Sequence, residues 1–173
     1  MRAVVVGVVV AVLSTGSAAA AVPPAGTVGP ATPSIAWQGQ AYAQSAASCP
    51  PEAVDIANVV CDHFMVDVQS PGTATVSISW TDPTDDFDLS VFTAGGTEVA
   101  ASTASSGTSE SVTFTADATT YEVRVAPVFV ASPSSYSGDA SWTSPPAGGG
   151  GATCSPGTVE VSLEPIATVC VGL

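Results

Sequence analysis

Thr73-Ala-Thr-Val-Ser-Ile-Ser-Trp80 is the stretch that decides the fold class. In an extended chain, successive side chains point to opposite faces. Ala74, Val76, Ile78 and Trp80 therefore share one face, and Thr73, Thr75, Ser77 and Ser79 share the other. The same period of two recurs on either side. Phe64, Val66 and Val68 alternate with His63, Met65 and Asp67, and Phe87, Leu89 and Val91 alternate with Asp86, Asp88 and Ser90. Val112 and Phe114 alternate with Ser111, Thr113 and Thr115, and Tyr121, Val123 and Val125 with Glu122 and Arg124. Tyr136, Gly138, Ala140 and Trp142 close the series. These are half-buried strands, apolar inward and hydroxyl or charge outward.

The breaks carry turn chemistry: Pro71-Gly72, Asp82-Pro83 and Ala94-Gly95-Gly96-Thr97. Short strands at regular spacing with Ser/Thr-rich outer faces indicate an all-β antiparallel sandwich or barrel. One short helix is expected near Pro51–Ala57, where Pro51 and Glu52 suit a first helical turn.

The chain of 173 residues carries 15 Asp and Glu against 2 Lys and Arg. The two cations are Arg2 and Arg124, and there is no lysine. Phosphate binding needs a basic patch, so nucleic acid and anionic membrane surfaces are excluded as partners. Lysine-based Schiff-base and isopeptide chemistry are excluded as well. The acidity itself suits solubility by self-repulsion, with affinity for a divalent cation as the sharper alternative.

Residues 1–21 read as a secretory signal peptide. Arg2 begins it, Ala3 to Leu13 is an unbroken apolar run, and Ala-x-Ala sites end at Ala20 or Ala21. The run is too short for a transmembrane helix. The expected destination is extracellular, without membrane insertion. The domain organisation expected beyond it is a flexible linker over 22–35, a sandwich over 36–143, a Pro/Gly-rich linker over 144–153 and a small C-terminal segment over 154–173. An exported chain oxidises its cysteines. Of the three possible pairings, sequence proximity favours Cys49 with Cys61 and Cys154 with Cys170. Each bridge would add about 2–4 kcal/mol by closing a short loop. The second would clamp a C-terminal hairpin formed by Thr158–Leu163 and Ala167–Gly172.

Cys61-Asp-His-Phe-Met-Val-Asp-Val, Val76-Ser-Ile-Ser-Trp80 and Asp85-Asp-Phe-Asp-Leu-Ser-Val-Phe92 together resemble the opening half of a bacterial pre-peptidase C-terminal domain. Gly95-Gly96, Gly107 to Val112, Tyr121 to Pro127 and Ser135 to Gly138 resemble its later half. The resemblance spans roughly Cys61 to Trp142. It implies a jelly-roll-like sandwich of a kind appended to secreted hydrolases, some members of which bind collagen, polysaccharide or Ca²⁺. No peptidase precedes the domain in this sequence. The family's calcium ligands do not match residues here and are not carried over.

The densest carboxylate run is Asp82, Asp85, Asp86 and Asp88. Crowded hard oxygens suit Ca²⁺, which takes 6–8 of them, and the competing reading is a solvated turn. His63 has too few companions for a zinc site and is expected to be solvated on an outer strand face. Trp37 and Tyr42 offer an aromatic platform for sugar or protein, with packing as an edge strand as the alternative. Phe92 and Phe129 are further candidates for surface contacts, whereas Trp80 and Trp142 belong to the core. No Gly-x-Ser-x-Gly elbow, His-Glu-x-x-His or paired-acid cleft is legible, so no enzyme is expected. The expected function is a non-catalytic binding or accessory module for an extracellular polymer or secreted protein, with calcium as a candidate staple. The alternatives are a protease-associated regulator or inhibitor presenting Glu164-Pro-Ile-Ala, and a small hydrolase using His63 or Asp86.

Overall fold

The computed structural model describes residues 21–41, 49–51, 61–130, 134–145, 158–163 and 167–172. Among these, the chain forms strands and no helix. The first are β1 (Ala25–Val28), β2 (Ser34–Ala41), β3 (Asp62–Val68), β4 (Gly72–Trp80), β5 (Asp86–Thr93) and β6 (Glu98–Ser102). There follow β7 (Ser109–Ala116), β8 (Thr120–Phe129), β9 (Ser134–Thr143), β10 (Thr158–Leu163) and β11 (Ala167–Gly172). A five-stranded sheet runs β1-β3-β8-β5-β6 and a four-stranded sheet runs β2-β9-β4-β7. All their pairings are antiparallel except β1 with β3. The all-β sandwich expected from the alternation is the fold observed.

The alternation places the core. Phe64, Val66, Phe87, Leu89, Val91 and Val123 face inward from the first sheet. Trp37, Ala74, Val76, Ile78, Trp80 and Ala140 meet them from the second. Rings link the layers: Trp80 tilts against Phe87 at 5.1 Å and Phe87 against Tyr136 at 5.8 Å. Each fully buried large apolar side chain contributes about 1.5–3 kcal/mol of transfer free energy. Two of the three indole nitrogens find carbonyls, Trp80 Nε1 donating to Asp85 O at 3.1 Å and Trp142 Nε1 to Ser70 O at 2.9 Å.

The expectation of a flexible linker and disordered arm over 22–35 is corrected. Val22 exchanges two backbone hydrogen bonds with Gln38, at 2.8 and 3.0 Å, and β1 then pairs in parallel with β3. Proline and glycine look like linker composition, but an edge strand tolerates both because only one of its sides needs a ladder. Gly26 is part of the reason β1 can dock: a Cβ there would lie 2.6 Å from Ile35 Cγ1 and 3.1 Å from Phe64 Cζ. Val28 ends the strand fully buried.

Of the expected disulfides, Cys49–Cys61 is present, with Cα atoms 5.6 Å apart. β10 and β11 pair antiparallel from Thr158↔Gly172 to Leu163↔Ala167, as the C-terminal hairpin requires. Cys154 lies outside the described residues, as do residues 1–20, Tyr42, most of the helical turn expected near Pro51–Ala57, the linker beyond 145 and the 164–166 loop. Among the described residues no helix is long and apolar enough to cross a membrane.

Candidate functional site

The outer face of the four-stranded sheet is built almost wholly from hydroxyls. On β4 the outward residues are Thr73, Thr75, Ser77 and Ser79, and on β7 they are Ser109, Ser111, Thr113 and Thr115. β9 adds Ser135, Ser137, Asp139, Ser141 and Thr143, and β2 adds Ser34, Ala36 and Gln38. The register sets them in rows across the sheet. Ser77 lies between Ser111 and Asp139, with Ala36 beyond, and Ser79 lies between Ser109 and Ser137, with Gln38 beyond. Strand spacing puts neighbours in a row about 4.8 Å apart, and same-face residues recur about every 6.8 Å along a strand. A shallow groove of about 390 Å³ runs over this centre, lined by both rows together with Ile78, Glu110 and Gly138. Some hydroxyls already pair, such as Thr75 with Thr113 at 2.9 Å and Gln38 Nε2 with Ser137 Oγ at 3.1 Å. The rest of the array can donate and accept toward a ligand. No aromatic or cationic residue stands among these outward positions.

The outer face of the other sheet is different. His63 and Glu122 face outward by alternation yet are buried, and so is Arg124. Glu122 Oε2 accepts from Arg124 Nη2 at 2.8 Å, and Glu122 Oε1 lies 3.0 Å from His63 Nδ1. A carboxylate only accepts, so the imidazole proton sits on Nδ1. The Arg124 guanidinium lies 3.7 Å over the Phe92 ring, a cation–π contact, and Nη1 donates to Cys49 O at 3.4 Å. Cys49 is tied to Cys61, at the head of β3, by the disulfide. The chain's only Arg beyond residue 2 is thus buried in an ion pair.

At the end of the core, Asp62 gathers donors from three parts of the chain. Its Oδ1 accepts from Ala21 N at 2.6 Å and His63 N at 2.9 Å, and its Oδ2 accepts from the Tyr136 hydroxyl at 2.8 Å. Burial, and then the Asp62 charge, push the Tyr136 phenol well above its ordinary value. The folded state therefore favours the neutral phenol. This stabilisation is fully present below the unfolded phenol pKa of about 10, and it is lost as pH rises through the folded value. Alkaline titration should show a phenolate absorbance step that coincides with unfolding. The step should lose one phenol's amplitude in Tyr136→Phe, since two other tyrosines remain, and an unchanged amplitude would reassign it.

The carboxylate run expected as a calcium site does not converge. Asp82 Oδ1 accepts from Thr84 N at 2.9 Å and from the Thr84 hydroxyl at 2.7 Å, contacts that hold its carboxyl below the usual range. Asp85 is buried, while Asp86 and Asp88 point outward from β5. Burial, then repulsion from Asp86 and Glu110, raise the Asp88 carboxyl. Among the described residues no three His, Cys, Asp or Glu gather to hold a metal. The two-residue period sets Asp86 and Asp88 on one face of β5, while Asp82 lies in the turn before it and Asp85 is buried.

The aromatic platform is corrected too. Trp37 is 1% exposed and stacks on Phe64 at 4.0 Å with planes 9° apart, so it belongs to the core. Phe92 is half-buried beneath Arg124 rather than open for contact. Phe129 is exposed, as expected. His63, expected to be solvated, is buried, with Nδ1 3.0 Å from Glu122 Oε1. The sequence showed the Ser/Thr-rich outer faces as a fold signal, visible in the hydroxyl alternation of Thr73–Ser79, without naming these residues as a site.

Residues 62–127 match the profile of the bacterial pre-peptidase C-terminal domain. No curated protein matches the chain in sequence. Among solved structures, that domain of Bacillus anthracis collagenase matches at TM-score 0.47 and 13% identity, over 67% of this chain and 93% of that one. The Aeromonas hydrophila periplasmic inhibitor of g-type lysozyme matches at TM-score 0.44 and 13% identity, over 69% and 96%. The surface-associated copper-binding protein CorA of Methylomicrobium album BG8 matches at TM-score 0.48 and 8% identity, over 69% and 98%.

Proposed function

We propose that the protein carrying this pre-peptidase C-terminal-like domain is an exported, non-catalytic module. It docks on a neutral, flat polysaccharide through the hydroxyl face of β2, β9, β4 and β7. The observation that carries the reading is the row structure around Ser77 and Ser79, with the groove of about 390 Å³ above it. A flat array of donors and acceptors matches a polymer that presents hydroxyls at similar intervals. The charge balance narrows the partner further. The one Arg beyond residue 2 is buried, so no strong cation remains to attract phosphates, sulfates or carboxylates. Export rests on the n-region, apolar run and small-residue cleavage site of residues 1–21.

The test is co-sedimentation with insoluble cellulose and chitin, in calcium and in a chelator. The wild type should sediment with at least one of them, equally in both buffers. Ser77→Arg would fold, since Asp139 lies opposite and can pair with the new charge. It should weaken retention about tenfold, which corresponds to about 1.4 kcal/mol or one to two lost hydrogen bonds. Absence of wild-type retention on both polymers would end the proposal. Retention unchanged in Ser77→Arg but lost on deleting residues 145–173 would move the contact to the C-terminal segment.

A further inference from the structure

Two small-residue motifs compete for the export cut: Ala18-x-Ala20 and Ala19-x-Ala21. They differ by one residue, and the fold distinguishes them. In the full chain Ala21 is 2% exposed, and its nitrogen lies 2.6 Å from Oδ1 of Asp62, which is itself 4% exposed. The two residues are 41 positions apart, so this is a tertiary contact and not local turn geometry. The next residue, Val22, is stitched to Gln38 in the second sheet, and Pro24 O accepts from Met65 N of the first at 3.0 Å. The segment that begins at Ala21 is thus held by both sheets.

We propose that the cut falls between Ala20 and Ala21, and that the freed α-ammonium of Ala21 becomes an ion-pair partner of the buried Asp62. The step is hydrolysis by an export peptidase with water as co-reactant. The Ala20–Ala21 amide breaks, the hydroxyl of water goes to the Ala20 carbonyl and its proton to the Ala21 nitrogen, and the proton then released by the new Ala20 carboxylic acid completes the ammonium. A neutral amide donor thereby becomes a cationic one at the same place. Charge-assisted bonds of this kind are roughly twice as strong as neutral ones. The ammonium joins the His63 N–H and the Tyr136 hydroxyl on one carboxylate, and closes the end of the sandwich between β2, β3 and β9. A cut one residue later would remove the Asp62 donor and leave Val22 as the terminus. The proposal rests on the export reading and is independent of polysaccharide binding.

The absence of lysine makes the test unusually clean, because the α-amine is then the only primary amine in the exported chain. N-terminal sequencing and intact mass of the exported protein should give Ala21 as the first residue. Acylation needs the uncharged amine, so one pK unit of ion pairing slows it about tenfold. Native protein should therefore label at least about tenfold more slowly than protein unfolded in denaturant. Asp62→Asn should remove most of that protection while tryptophan fluorescence shows the fold retained. A variant with one glycine placed between Ala20 and Ala21 covers the case in which Asp62→Asn fails to fold. Its displaced ammonium should label quickly. A first residue other than Ala21, or native labelling as fast as unfolded, overturns the proposal.

Discussion

Trp37→Ala should lower the unfolding free energy by about 3–5 kcal/mol, the range for removing a buried large aromatic. Against a total of about 5–15 kcal/mol for a domain, this is enough to leave the variant partly unfolded. The magnitude follows from the position of the ring: 1% exposed, stacked on Phe64, and lying across Gly138 of the neighbouring strand. Denaturant unfolding followed by far-ultraviolet circular dichroism reads the loss. Gly138→Ala approaches the same contact from the other side. A Cβ there would fall among the indole atoms of Trp37, so one added methyl should cost about 1–3 kcal/mol or more through overpacking. A loss under about 1 kcal/mol for Trp37→Ala would return the residue to the surface as a contact platform.

Glu122→Gln should cost about 3–5 kcal/mol, because it removes the carboxylate from a buried pair. The amide keeps one oxygen, so only one of Arg124 Nη2 and His63 Nδ1 retains its acceptor while the other faces an NH2 donor, and the carboxylate charge beside the Arg124 guanidinium is gone. The sharper readout is the double variant. Replacing a whole buried pair with apolar groups is often neutral or stabilising, so Glu122→Leu with Arg124→Met should recover most of what Glu122→Gln loses. The coupling in a double-mutant cycle measures the pair. If Glu122→Gln unfolds at the wild-type denaturant midpoint, the pair of Glu122 with Arg124 is not buried in solution.

The strands were legible because their signal is local. A period of two needs only the residues of one strand, and Thr73–Trp80 or Phe87–Val91 carries it without outside help. What lay beyond reach came from contacts between distant segments. Alternation puts His63, Glu122 and Arg124 outward, as the structure does. Their burial, and the contact of Arg124 with the Cys49 carbonyl, are tertiary features that no strand pattern encodes. The available hint was the disulfide, whose second half, Cys61, lies two residues before His63. For Trp37 the edge-strand alternative is the one that holds: Ile35, Trp37 and Gly39 alternate with Ala36 and Gln38, but one strand's pattern does not say what covers its apolar face. The carboxylate run shows the opposite error, in which proximity in sequence was taken for proximity of side chains. The hydroxyl face was legible as a pattern, and its two-dimensional regularity emerged only once the strand register was known.

The pairing of β2 with β9 also sets a clock. Gln38 and Ser137 touch across 99 positions of chain. At about 5–20 residues per second of synthesis, roughly 5–20 s separate the appearance of the two strands. Throughout that interval Trp37 has no Gly138 to lie against, and β4 lacks one of its two neighbours. Closure at so long a range is also slow once it becomes possible. The nascent chain therefore spends that interval without its closing strand, a condition in which a polypeptide can still be threaded through a narrow channel. Its last sandwich strand acts as the latch, and only after that strand has been made can the two sheets lock.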